Sequence, residues 1–207
     1  NPRADLMSEL LRSRYRDGTS PSFEMVSLLA RFLFGAGQDT TSRLAAIAIR
    51  ILGDDPDLQD RLRAGPGRIA DFIEEVLRFE PPVKVSYRLA VEDTEVAGVE
   101  VPAGTVLTIG LMAASNDPAH FPDPDRVDID RANKRDHLGF SKGHHGCLGA
   151  PLARMEARVM LERLLARTSR FRISEAHHGP PGARRYAYEP TYTFRNLSDL
   201  HIEYDLA

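Results

Sequence analysis

The 207-residue chain has a single cysteine, Cys147, no tryptophan, and only 7% aromatic residues. One cysteine excludes any intramolecular disulfide and suits a reducing compartment, so a cytoplasmic location is expected. No signal peptide is visible, and no apolar run reaches the 18 or so residues of a membrane span. A basic excess is also missing. Lys and Arg number 27 against 30 Asp and Glu, a net charge of −3, which provides no electrostatic footprint for nucleic acid. There is no internal repeat and no low-complexity tract. What is left is an ordinary soluble composition, 28% charged and 42% hydrophobic, in a chain long enough to bury a sizeable core.

The lone cysteine stands in "FSKGHHGCLG", Phe140 to Gly149, just ahead of a helix opening with Pro151. Helix N-termini carry unpaired N–H groups and a partial positive charge, both of which stabilise an anion such as a thiolate. Gly143, Gly146 and Gly149 allow a tight turn and the close approach of a flat ligand, and Phe140 can offer a ring to it. Three readings are open for such a thiol. A free cysteine is most often a small buried hydrophobe. It can be a nucleophile, here with His145 as base. It can also be the axial thiolate of a haem, one of the few standard haem ligations.

A second constellation is "FLFGAGQDTTSR", Phe32 to Arg43. Ser20 and Pro21 read as an N-cap and first-turn proline, and the chain stays helix-compatible from there to Gly53, about 45 Å of helix. Met25, Val26, Leu28, Leu29, Phe32, Leu33, Leu44, Ile47, Ile49 and Leu52 make it apolar on nearly every side, which predicts a buried central helix. Arg31, Asp39, Arg43 and Arg50 rule out a membrane span. Gly35, Gly37, Asp39, Thr40 and Thr41 are poor helix formers, and a threonine hydroxyl can bond back to a carbonyl one turn earlier. Such a segment is either a packing contact or a functional irregularity.

In "IADFIEEVLRFEPP" the residues Ile69, Phe72, Ile73, Val76 and Leu77 form an apolar stripe at helical spacing, with Glu75 and Arg78 three apart on another side. Residues 86–112 alternate and carry Gly and Pro turns, so they read as short antiparallel strands. The acidic run before Arg131 lacks the glycine and glutamate of a calcium loop, and His177-His178 reads as a solvated loop pair.

Taken together, "FSKGHHGCLGAPLAR", "AGQDTT" and Glu75-x-x-Arg78 resemble the bacterial, soluble type of cytochrome P450. The family loop, Phe-x-x-Gly-x-His/Arg-x-Cys-x-Gly, is met by Phe140, Gly143, His145, Cys147 and Gly149; Ser141 departs from it where many members carry glycine. The resemblance implies a mainly α fold with small antiparallel β sheets, covering the C-terminal half of a domain about twice as long. Its parts are a central helix at about 21–53, a Glu-x-x-Arg helix at about 67–80 and strands at about 86–112. A meander and haem-thiolate loop at about 116–150, a helix at about 151–167 and a C-terminal strand hairpin at about 185–207 follow.

The resemblance also assigns roles. It implies haem b (iron protoporphyrin IX) with Cys147 as iron ligand, His145 and Arg88 on its propionates, and Phe140, Gly143 and Gly149 around it. Asp39 and Thr40 become the acid–alcohol pair that relays protons to bound O2. Glu75 and Arg78 become a buried structural pair, with Arg126 as third member. Ala36, Val83 and Val85, together with Pro190 to Tyr192, fall beside the substrate. The implied activity is monooxygenation of a small lipophilic molecule by O2, with electrons from a ferredoxin or flavodoxin and its reductase, drawn in part by Lys142. Nucleic acid and membrane are not expected partners. Two rival readings are a non-catalytic auxiliary protein or split subunit that meets a missing N-terminal half, and an inactive fragment. With only the C-terminal half of the domain matched, the long helix is expected to bare one apolar face, an aggregation hazard or a docking surface.

Overall fold

The structure, a computed structural model, describes residues 3–207. It divides into two compact units, with the boundary between Thr40 and Thr41 inside one long helix.

In the first unit, helix α1 (Leu6–Arg12) is capped by Asp5, whose carboxylate accepts the Ser8 N–H at 2.8 Å. A turn closed by Gly18, with φ of +84°, leads on to helix α2 (Phe23–Asp54). The expected cap moves by two residues. Ser22, not Ser20, accepts the Met25 N–H at 3.2 Å, while Ser20 accepts a bond from Arg14 instead. The expected burial of this helix holds only in part. Phe23, Phe32 and Phe34 are 72%, 66% and 73% exposed, and Leu28 is 59% exposed. All-round apolarity says that a helix is made to be covered, but not which segment covers it.

The second unit holds the core. From α2 come Leu44, Ile47, Ile51 and Leu52; from α3 (Pro56–Ala64) Leu58 and Leu62; and from α4 (Ile69–Phe79) Ile69, Phe72, Ile73, Val76 and Leu77. Helix α6 (Ala150–Arg167) adds Ala157, Leu161 and Leu165 across from α4. A side chain of Leu or Phe size buried here contributes about 1.5–3 kcal/mol.

Among the described residues there are three two-stranded antiparallel sheets. β1 (Val85–Leu89) pairs with β4 (Val106–Gly110), placing Arg88 opposite Leu107. Between them, β2 (Thr94–Val96) and β3 (Val99–Val101) form a hairpin turned at Ala97 and Gly98, both with positive φ as its tight turn requires. The short helix α5 (Leu111–Ser115) follows β4.

The C-terminal pairing differs from expectation. The last strand, β6 (Ile202–Leu206), pairs with β5 (Thr168–Ile173) directly after α6, not within residues 185–207, and helix α7 (Glu175–His178) lies between the two. Within residues 185–200 the expected hairpin is reduced to an isolated antiparallel bridge between Tyr188 and Leu197, where Glu189 N–H donates to the Asn196 carbonyl at 3.0 Å and Ser198 N–H to the Ala187 carbonyl at 2.9 Å; side chains add to the hold. Glu80 draws in Arg195 at 2.8 Å and Tyr188 at 3.2 Å while accepting Arg50 of α2 at 2.6 Å.

Candidate functional site: the cysteine loop and its supports

The meander after α5 passes along α4 before reaching the cysteine. Leu138 N–H donates to the buried Ser115 hydroxyl at 2.9 Å, and Gly139 passes so close to α4 that an added Cβ would sit 2.8 Å from the Leu77 carbonyl oxygen. The chain then turns through Ser141, at φ +57°, and Gly143, at φ +70°. Cys147 N–H donates to the Phe140 carbonyl at 2.9 Å, closing the loop, and α6 begins at Ala150 with Pro151 in its first turn. The sulfur is exposed, as are His145 and Lys142, and Gly149 keeps the approach clear: a Cβ there would lie 3.8 Å from Sγ.

Ser141 occupies the left-handed region, which costs a non-glycine residue about 1–2 kcal/mol. Ser141→Gly is expected to stabilise the chain by about 0.5–1 kcal/mol once the freer unfolded glycine is counted. A thermal melt should read this as a rise of about 1–3 °C. A fall would show that the serine side chain holds the turn.

The Glu-x-x-Arg pair is fully buried. Glu75 meets Arg78 at 2.9 and 3.0 Å. Arg78 also donates to the carbonyls of Ser115, Pro124 and Arg126 and to Asn116 Oδ1, all within 3.2 Å. The third member is Arg131, whose Nε lies 3.0 Å from Glu75 Oε1. The expected Arg126 is corrected: its side chain is exposed, and it serves through its backbone carbonyl, which accepts from both Arg78 and Arg131. Asp123, at φ +50°, bends the meander so that its carbonyls face inward.

A neighbouring network was not anticipated. Glu74 is 3% exposed and accepts a fork from Arg154, at 2.6 and 3.0 Å, plus His137 Nε2 at 3.1 Å. Gly139 N–H donates to His137 Nδ1 at 3.0 Å, so the proton that reaches Glu74 is on Nε2. Burial opposes charge on Glu74, but the bonds from His137 and Arg154 outweigh it and hold its carboxyl down to about 2. The sequence signal for it was weak: one more glutamate beside Glu75, with partners 63 and 80 residues downstream.

The other expected site residues are placed as follows. Arg88 is half-buried on β1 and donates to the Tyr87 carbonyl at 2.7 Å. Val83 bridges Phe194, and Lys84 bonds the carbonyls of Thr193 and Thr191, so the Val83–Val85 segment and residues 191–194 lie side by side. In the first unit, Thr40 Oγ1 donates to the Ala36 carbonyl at 2.6 Å within an unbroken helix, and Asp39 is exposed beside it.

Comparison with known proteins places this geometry. The sequence model of the family described as Cytochrome P450 matches residues 69–183. The putative cytochrome P450 140 of Mycobacterium bovis is 40% identical over 203 residues, covering 97% of this chain and 44% of that protein. The substrate-free structure of CYP150A6 from Mycobacterium marinum superposes with a TM-score of 0.96 at 48% identity, over 100% of this chain and 51% of its own. CYP109E1 from Bacillus megaterium, in complex with corticosterone, gives a TM-score of 0.83 at 29% identity, over 94% of this chain and 50% of its own. The chain thus spans about half the length of the relatives it matches.

Proposed function

Because the chain belongs to the cytochrome P450 family, we propose that it is the haem-thiolate part of a monooxygenase that inserts one oxygen atom of O2 into a small lipophilic molecule. One observation carries this reading: an exposed sulfur, Cys147, stands on a glycine-rich turn closed by its own amide bond to Phe140. The donor set fits haem b. Cys147 supplies the thiolate, Gly143 and Gly149 leave room for a flat ring, and the exposed His145 and half-buried Arg88 supply a ring N–H and a guanidinium for its propionates. When bound, the group supplies the O2-activating redox chemistry. The protein's own task is to hold the sulfur, orient the substrate and deliver protons.

Thr40 and Asp39 take the proton role. The Thr40 hydroxyl, anchored to the Ala36 carbonyl, keeps lone pairs free to accept, and a positioned hydroxyl–carboxylate pair moves protons faster than bulk solvent. The family pattern assigns Ala36, Val83 and Val85 to substrate contact. CYP109E1, a relative bound to corticosterone, supports a lipophilic ligand class. Electrons come from a ferredoxin or flavodoxin with its reductase, approaching over the cysteine loop near the exposed Lys142. Among the described residues no helix is long and apolar enough to cross a membrane.

The reading is tested by loading the chain with haem and recording the reduced, carbon-monoxide difference spectrum. A strongly red-shifted Soret band that Cys147→Ser abolishes is expected. A wild-type band at the position of neutral-ligand haem, or no band, would refute thiolate ligation by this chain. In the protein with full activity, Thr40→Ala should keep consuming electrons while organic product per electron falls by about an order of magnitude; unchanged coupling would remove Thr40 from the proton path.

A further inference from the structure

Glu74 is buried and charged, and the proposed chemistry gives it nothing to do. Its fork to Arg154 lays one side of that guanidinium against a carboxylate, and the Arg154 Cζ stands 4.6 Å from the centre of the Phe140 ring. Phe140 is packed on the core by its ring and closes the cysteine loop by its carbonyl, which accepts the Cys147 amide. His137, bonded to Glu74 through Nε2, reaches the same loop through Gly139 N–H, with its ring tilted 6.1 Å from that of Phe140. One carboxylate therefore grips the loop by two routes, both ending within the residues that lead to Cys147.

We propose that Arg154 is a positioning residue for the Cys147 ligand: anchored by Glu74, it holds Phe140 from behind and fixes the carbonyl that closes the loop on the Cys147 amide. As a ligand-positioning role, this rests on the reading that Cys147 binds haem iron. A guanidinium forked to a carboxylate and stacked on a ring has few ways to move, which suits a clamp. Lysine in its place keeps a cation over the ring and one bond to Glu74. Methionine keeps only volume.

Amide hydrogen exchange of the haem-free chain, read residue by residue by NMR, tests the clamp. Arg154→Met should speed exchange at Cys147 by about tenfold, the factor set by one such cation–ring contact, with little change at Val76 in the middle of α4. Arg154→Lys should recover most of the protection. Phe140→Leu, which leaves the ion pair in place, should reproduce the local acceleration even if Arg154→Met folds poorly. Unchanged exchange at Cys147 would overturn the proposal, and so would equal acceleration at Cys147 and Val76, the mark of general destabilisation. With haem added, Arg154→Met should move part of the carbon-monoxide band toward the neutral-ligand position while Arg154→Lys keeps it red-shifted. A wild type that shows the exchange pattern but no thiolate band would sink the haem reading and not the clamp.

Discussion

Arg78→Met is expected to destabilise the chain by about 3–5 kcal/mol, enough to threaten folding where domains hold only about 5–15 kcal/mol in all. The size follows from what the guanidinium leaves behind. Glu75 stays fully buried with half its countercharge removed, and only Arg131 and the Asp128 N–H remain to it. At the same time the carbonyls of Ser115 and Pro124 lose the Arg78 donor, while that of Arg126 keeps its bond from Arg131. Leaving buried acceptors unpaired costs about 1–3 kcal/mol each where water cannot enter. Arg78→Lys should rescue little, because one ammonium cannot reach acceptors arrayed around a planar fork. Chemical unfolding followed by circular dichroism reads the effect, and haem uptake should fail with it. A midpoint close to that of the wild type would mean that the pair is decorative.

Glu74 should make the fold acid-sensitive in a definite window. Its carboxyl is held down to about 2 in the folded chain, against an ordinary value of 4.5. Above pH 4.5 it is ionised in both states, and the native bonds to Arg154 and His137 count in full. As the pH falls from 4.5 toward 2, the unfolded chain takes up the proton first and the advantage drains away. The shift corresponds to about 3 kcal/mol. Wild type should therefore exceed Glu74→Gln in unfolding free energy by about that amount at pH 6, with the gap closing as the solution approaches pH 2. A gap that does not vary with pH would show that packing, not charge, accounts for the difference.

Much of this was legible before any coordinates. The cysteine loop, the Glu75–Arg78 pair and the helix that opens at Ala150 are local patterns, written within 10 to 20 residues. What the sequence hid depends on distant contacts. Arg126 and Arg131 lie five apart in one acidic stretch, and only the bend at Asp123 decides which side chain turns inward. Glu74 gave only a weak signal because its partners come from the meander and α6. The strand Thr168–Ile173 carries two arginines that mask its alternation, so β6 was expected to pair within its own neighbourhood. The exposed phenylalanines of α2 show the same limit from the other side: a pattern announces the wish to be buried, not the partner.

Glu74 and Glu75 are adjacent on α4 yet serve different masters, the first gripping α6 and the cysteine loop, the second the meander. Neighbouring helical positions point about 100° apart, and that angle does the sorting. The helix should therefore accept point changes at its few outward positions while tolerating no change in length. A single residue inserted after Asp71 would rotate both carboxylates at once, trading each network's partner for the other's empty space.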